Sequence, residues 1–175
     1  MYDIAGEIVT EIALASEAKR AINIELLIRN SGILLDRKAD LDSEIAGQIE
    51  FLPDEKMHKI SVNKNDHYYR QRFTMAHELG HYFFHRDLIG SGIDDTKAYR
   101  SSQDSKFKNV KIQAQQETEA NRFAAKILMP EELIKSIAKD IVGDNLSDLT
   151  ENQIIELAKK LQVSKQALTY RLSSL

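Results

Sequence analysis

The sequence predicts an α+β fold, in which a helical domain with a small, mainly antiparallel sheet precedes a C-terminal helical segment. Two observations favour this fold. Apolar residues recur at the spacing of one helical face in several stretches, as at Ile4, Ile8 and Ile12, which is typical of amphipathic helices. Elsewhere, apolar and polar residues alternate on both sides of a turn, as they do in paired antiparallel strands.

The composition is that of a globular protein of about one domain. The 175 residues are 42% hydrophobic and 29% charged, and the net charge of −3 does not suggest a partner such as nucleic acid or a membrane surface. The absence of cysteine excludes disulfides and thiolate metal sites, so a metal would have to be bound by His, Asp or Glu. We expect a cytoplasmic protein that does not enter a membrane, because neither a leader pattern nor a long apolar segment is present.

The N-terminal part predicts two helices and a strand. Residues 3–18 show the spacing of an amphipathic helix, and residues 22–30 predict a shorter helix that Gly32 can end. The apolar residues 33–35 then predict a short buried strand.

Residues 45–63 predict a β-hairpin with its turn at residues 53–56. The alternating apolar positions are Ile49 and Phe51 on the first arm and Ile60 and Val62 on the second. An exposed edge of this hairpin would allow an extended peptide to pair with it.

The middle of the chain predicts two helices that are far apart in sequence. Residues 70–85 return to helical spacing, and residues 113–129 predict a second helix that Pro130 closes. The polar stretch at 86–112 is long for a connection, so we expect it to be either a lid over a cleft or a mobile insertion.

Helices are also predicted after Pro130, because proline suits the first turn of a helix. Residues 150–175 predict two of them, with Thr150 and Ser164 as N-caps. Thr150 followed by Gln153 fits a capping box.

The last two predicted helices resemble a helix-turn-helix unit, with a core of Ala158, Leu161, Val163, Ala167, Leu168 and Leu172. We therefore predict a domain over residues 1–130 and a helical segment over residues 131–175 packed on it. Four basic against three acidic residues leave positions 148–175 a net charge of +1. Because sequence-specific DNA-binding domains have a clearer basic face, we expect no direct DNA binding.

The motif that carries chemistry is His77-Glu78-Leu79-Gly80-His81. On a helix, His77 and His81 lie on one face, one turn apart, where two imidazoles can bind one zinc ion. Glu78 can then accept a proton from the attacking water. The motif is short and also arises by chance, but here it lies in an amphipathic helix with apolar flanks.

A zinc site of this kind needs a third protein ligand. His85 is excluded by distance, because it lies roughly 12 Å past His77 along a helix axis, and we expect it to be structural or at the edge of a cleft. Helix phase favours Glu117, roughly 50° from the centre of the apolar face, over Glu119, roughly 110° away. Glu119 is expected to face solvent and to pair with Arg122.

Asn121 lies one turn after Glu117 on the same face. Its side-chain oxygen can accept the free ring N–H of a ligating histidine, which is how metal-bound histidines are commonly oriented. The remaining histidines, His58 and His67, are interpreted as surface or loop residues.

Two long stretches resemble the ImmA/IrrE family of metallo-endopeptidases: RQRFTMAHELGHY at residues 70–82 and ETEANRFAAKILMP at residues 117–130. The hairpin around Gly47 and the ISVN stretch at residues 60–63 are also similar. The resemblance is strong over residues 45–130 and looser beyond. It implies a zincin-like domain.

The resemblance also implies site residues and a partner. It makes His77, His81 and Glu117 the zinc ligands and Glu78 the general base. The expected substrate is a helix-turn-helix repressor of the Xre type, cleaved to derepress a mobile-element, stress or toxin–antitoxin-like locus.

The sequence leaves two questions open. Tyr68, Tyr69 and His67 are candidate donors to the oxyanion of the reaction, with Tyr82 and Tyr99 as further candidates, and nothing in the sequence chooses among them. The alternative function is a non-proteolytic, toxin-like or repressor-binding protein that keeps the zincin fold and could contact DNA through its C-terminal helices.

Overall fold

The computed structural model describes residues 4–89, 93–96, 114–143 and 149–175, with the backbone alone for residues 93–96. In these ranges the helices are α1 Ile4–Ala18, α2 Ile24–Asn30, α3 Tyr68–Phe84, α4 Arg86–Ile89, α5 Ala114–Leu128, α6 Glu131–Val142, α7 Glu151–Leu161 and α8 Lys165–Leu172. The strands are β1 Leu34–Ala39, β2 Ile45–Leu52, β3 Met57–Asn63 and β4 Ile93–Thr96. The predicted α+β fold is confirmed.

The four described strands form one sheet in the order β1-β3-β2-β4. The predicted hairpin is present as β2 and β3, which pair antiparallel with Ile49 opposite Ile60. β3 also pairs in parallel with β1, and β2 pairs antiparallel with β4. The expectation that the hairpin offers a free edge to a peptide was therefore wrong, because both of its arms are interior strands.

The polar stretch at residues 86–112 contains regular structure that its sequence does not predict. α4 directly follows the C-cap of α3, and β4 pairs along β2 with Gln48 opposite Asp94. Two aspartates in a four-residue strand are unfavourable for β-structure, so the strand depends on its partner rather than on its own residues. The lid or insertion expected at residues 97–112 lies outside the described residues.

The sheet packs closely on α3 because β2 carries a glycine at the contact. A Cβ built at Gly47 would lie 2.3 Å from the Thr74 methyl carbon and 3.0 Å from the Ser61 carbonyl oxygen. The sheet is also held to α3 by Gln71, whose side-chain amide donates to the carbonyl of Asn63 at 2.9 Å. These contacts place the middle of α3 under the strand.

The C-terminal helices begin at the predicted N-caps. The capping box of Thr150 and Gln153 is present, and the Ser164 hydroxyl accepts from the backbone N–H of Ala167 at 3.1 Å. The predicted core positions are buried at Ala158, Leu161, Val163 and Leu168 and partly buried at Ala167 and Leu172.

These helices share one hydrophobic cluster with α2, α3 and the sheet. Arg72, which is 4% exposed, links them to the rest: its Nε donates to the carbonyl of Gln162 at 3.2 Å and its Nη2 to the carbonyl of Ile22 at 2.9 Å. The helical segment is thus packed on the preceding elements, and the division at residue 130 stays a prediction. None of the helices in the described ranges is both long and apolar enough to cross a membrane.

The connection from α1 to α2 depends on a buried carboxylate. Glu11 is 3% exposed and accepts from both terminal nitrogens of Arg20, at 2.5 and 2.9 Å, and from the backbone N–H of Asn23 at 2.7 Å. Burial alone would raise the pKa of Glu11, but these hydrogen bonds outweigh it and leave the pKa below its ordinary value of 4.5.

We expect Glu11→Gln to lower the free energy of unfolding by about 1–2 kcal/mol at neutral pH, because one charge-assisted pair is lost. A carboxylate with a depressed pKa contributes stability that is fully present above its ordinary value of 4.5 and is lost as the pH falls through the folded pKa. The difference between the variant and wild type should therefore shrink below pH 4.5. Urea denaturation across this range measures it, with Glu17→Gln on the exposed face of α1 as the control.

Candidate metal centre

The three residues of the sequence motif are deeply buried in α3. His77 is 1% exposed, and Glu78 and His81 are 0% exposed. The helix begins after His67, whose ring accepts from the backbone N–H of Tyr69 at 3.2 Å. Because residues four apart share a helix face, the two histidines point together toward α5.

Glu117 of α5 completes the cluster. Its Oε2 lies 3.2 Å from Nε2 of His77, and its Oε1 lies 3.5 Å from Nε2 of His81. The two Nε2 atoms are 3.0 Å apart. One ligand atom from each of the three residues lies within 4.8 Å of the others, so the side chains converge on a single point.

The close approach of α3 and α5 requires a small residue on each helix. A Cβ built at Gly80 would lie 3.1 Å from Cδ1 of Phe123, 3.2 Å from Cα of Ala120 and 3.4 Å from its carbonyl oxygen. The two carbon–carbon distances are shorter than ordinary carbon contacts. Gly80 and Ala120 therefore set the separation across which Glu117 reaches both histidines.

The two glutamates of α5 lie on the sides of the helix that its phase predicts. Glu117 points inward to the histidines, whereas the Glu119 side chain is 43% exposed. The predicted pairing of Glu119 with Arg122 was wrong, since Gln115 donates to Oε1 of Glu119 and His85 contacts its Oε2, both at 3.1 Å. These hydrogen bonds lower the pKa of Glu119, and Arg122 adds only a longer-range attraction.

The charge state of the cluster follows from burial and neighbours. Burial lowers the pKa of His81, so its ring is neutral at neutral pH. Burial would raise the pKa of Glu117, but when a histidine of the cluster carries a proton on its inner nitrogen, its hydrogen bond to the carboxylate outweighs burial and lowers the pKa to about 2. Glu117 is therefore a carboxylate that only accepts hydrogen bonds.

Asn121 contacts the outer side of His77, with Oδ1 at 3.0 Å from Nδ1. An amide oxygen only accepts, so Nδ1 carries the ring proton and Nε2 presents a lone pair inward. That lone pair faces the carboxylate of Glu117, and like groups without a proton between them repel. Two imidazoles and a carboxylate that converge in this way fit a divalent cation such as zinc.

The comparison with known proteins agrees with this geometry. The chain matches the family described as the IrrE N-terminal-like domain over residues 37–173. The chain belongs to this family. The ImmA/IrrE membership expected from the sequence motifs is thereby confirmed.

A curated relative is the radiation response metalloprotease IrrE of Deinococcus radiodurans. It is 32% identical over 114 residues, which cover 65% of this chain and 30% of the relative. The chain thus spans less than a third of the length of that relative.

His85 lies beside this cluster in a position that the sequence did not predict. It is 6% exposed, with Nδ1 3.0 Å from Nδ1 of His81 and Nε2 3.1 Å from Oε2 of Glu119. It is outside the convergent cluster, as expected from its distance to His77. The signal that would have found it is its spacing of four residues from His81.

The contacts seen for the described candidate oxyanion donors are with residues outside the cluster, and their role stays a prediction. The hydroxyl of Tyr68 lies 3.4 Å from Oε1 of Gln162, in the C-terminal segment. The rings of His67 and Tyr69 meet edge to face at the start of α3, with 5.0 Å between centroids, and Tyr69 precedes His77 by eight residues, or roughly 12 Å along the helix axis. Tyr99 lies outside the described residues.

Of the two histidines expected at the surface or in loops, one is exposed and the other is buried. His67 is exposed, as predicted, but His58 is 7% exposed on β3 and was wrongly interpreted as a surface residue. The His58 ring packs at a tilt against Phe51 and edge to face against Tyr82, with 5.1 Å between centroids in each pair. Tyr82 is therefore engaged with the sheet and with Arg86, whose guanidinium lies 4.8 Å from its ring centroid.

We expect Gly80→Ala to lower the free energy of unfolding, because the added methyl group meets Phe123 and the backbone of Ala120. Overpacking costs about 1–3 kcal/mol, and alanine recovers about 1 kcal/mol of helix propensity, so the net loss should reach up to about 2 kcal/mol. Urea denaturation measures the change. An unchanged or increased stability would show that the two helices are not in tight contact.

Proposed function

We propose that the chain is a zinc metallo-endopeptidase, with His77, His81 and Glu117 as metal ligands and Glu78 as general base. The observation that carries the proposal is the convergence of three buried ligand groups, with a second buried acid, Glu78, on the same helix as the two histidines. Family membership and the metalloprotease name of the Deinococcus relative support it.

In the proposed reaction, the metal ligands lie on the side of α3 that faces α5, and the general base lies on the side that faces β2. A zinc ion bound by the cluster would supply a Lewis acid that activates water and polarises the scissile carbonyl. Glu78 follows His77 in sequence and faces β2: a Cβ built at Gly47 would lie 3.8 Å from its Oε1. From there Glu78 accepts the proton of the attacking water and returns it to the leaving amine.

Asn121 supports the site by holding one ligand. Its oxygen fixes the proton of His77 on Nδ1, so that Nε2 is the nitrogen available to the metal. This interaction orders the His77 ring before any ion or substrate is bound.

The proposed substrate is a cytoplasmic helix-turn-helix repressor of the Xre type, whose cleavage derepresses a mobile-element, stress or toxin–antitoxin-like locus. The support is the resemblance of both long motifs to the ImmA/IrrE family. The compact α7–α8 unit packs on the same cluster as α3 and the sheet, and we assign it to structural support or repressor docking rather than DNA binding.

We expect Glu117→Ala and Glu119→Ala to differ sharply in zinc affinity. Glu117→Ala removes a ligand, so its loss should exceed the roughly 10–100-fold typical of a supporting residue. Glu119→Ala should cost only a few-fold, because its side chain is 43% exposed and water can replace it. Competition with a chromophoric chelator measures both, and equal losses would contradict the ligand assignment.

We expect Glu78→Gln to bind zinc normally and to lose cleavage of the repressor by about 10²–10⁴-fold, because the amide cannot accept the proton. The assay co-expresses candidate Xre-type repressors with wild type or variant and follows intact repressor over time. If wild type and Glu78→Gln cleave equally, the catalytic assignment fails. If both bind the repressor and leave it intact, the chain acts as a non-proteolytic partner.

A further inference from the structure

His85 is a buried titratable side chain that the proposed reaction does not use. It occupies the C-cap position of α3, one turn after His81, and is 6% exposed. Both of its ring nitrogens lie within hydrogen-bond distance of a polar atom: Nδ1 is 3.0 Å from Nδ1 of His81, and Nε2 is 3.1 Å from Oε2 of Glu119.

The chemistry of these contacts fixes the direction of the hydrogen bonds. The Glu119 carboxylate only accepts, so Nε2 of His85 must carry a proton. A neutral His85 then has a lone pair on Nδ1, which accepts the proton on Nδ1 of His81. This leaves the lone pair of His81 on Nε2, the nitrogen that faces His77 and Glu117.

We propose that His85, oriented by Glu119, is a positioning residue that holds His81 in its metal-binding tautomer and ring orientation. The inference rests on the proposed metal centre and extends it to residues outside the ligand set. It gives the two ligand histidines matching support, since each donates its outer N–H to an acceptor: His77 to Asn121 and His81 to His85.

A chain of hydrogen bonds runs from His81 through His85 to Glu119 at the surface, so the role of His85 is not limited to packing of its ring. Glu119 is the outer end of the chain of hydrogen bonds, and Gln115 donates to its second oxygen at 3.1 Å. A histidine that only filled space would not need both nitrogens matched to a neighbour of the correct polarity. His58 provides the comparison: it is equally buried at 7%, and its aromatic contacts are with Phe51 and Tyr82.

The test measures zinc affinity of the whole chain by chelator competition in four single variants and one double variant. His85→Phe keeps a ring but removes the acceptor, and should weaken zinc binding by about 10–100-fold. His85→Asn gives His81 the kind of partner that Asn121 gives His77, and should stay within a few-fold of wild type. His58→Phe controls for the loss of a buried histidine and should bind zinc as wild type does.

The fourth variant, Glu119→Ala, tests the outer end of the chain. Its few-fold loss should disappear when it is combined with His85→Phe, because the path to His81 is already broken. Cobalt substitution adds a readout that a purely structural role would not change: the visible ligand-field spectrum should shift in His85→Phe and be restored in His85→Asn.

The outcomes separate the two proposals. If wild type fails to bind zinc, the metal centre itself is wrong. If wild type binds zinc and His85→Phe binds it equally well with an unchanged cobalt spectrum, the positioning role is overturned while the metal centre stands. Equal losses in His85→Phe, His85→Asn and His58→Phe would also overturn it, since a general effect of buried histidines would then explain the data.

Discussion

The close packing of α3 against α5 is the constraint on which the site depends. Two histidines are supplied by one helix and a glutamate by the other, so their convergence is set by the distance between the helix axes. That distance is short because Gly80 lies against Ala120, where even one added carbon would fall 3.1–3.2 Å from its neighbours. On the opposite side Gly47 lets β2 approach Thr74. Small residues on both sides thus hold α3 in place, and rigid placement of this kind is what a metal site requires.

Burying such a polar group of residues is costly unless every hydrogen-bonding atom has a suitable partner. In this fold the outer nitrogens of the two cluster histidines face Asn121 and His85, while their inner nitrogens face each other and Glu117. The outer contacts satisfy the ring N–H groups within the protein. The inner contacts bring lone pairs and a carboxylate charge together, which is an unfavourable arrangement that a bound cation would relieve.

The sequence predicts those features that depend on local pattern. The helix expected at residues 3–18 is Ile4–Ala18, and the one at 113–129 is Ala114–Leu128, because a wide apolar face specifies both period and direction. The direction of the apolar face also predicted that Glu117 points into the protein. Features that depend on distant partners were missed: β4 pairs with β2 despite its aspartates, and parallel pairing adds β1 to the hairpin. His85 was missed for a different reason. Its distance from His77 excluded it as a metal ligand, and its contact with His81, four residues earlier, was not considered.

The division of α3 into two working faces follows from its neighbours. His77 and His81 face α5, so the geometry of the proposed metal ligands depends on the packing at Gly80 and on the residues of α5. Glu78 lies one position, or about 100°, from His77 around the helix and faces the sheet. Its surroundings are therefore set by β2 and by the absence of a side chain at Gly47. The proposed metal ligands and the proposed general base are thus positioned by different parts of the fold, and the helix that carries His77, Glu78 and His81 fixes their relative positions.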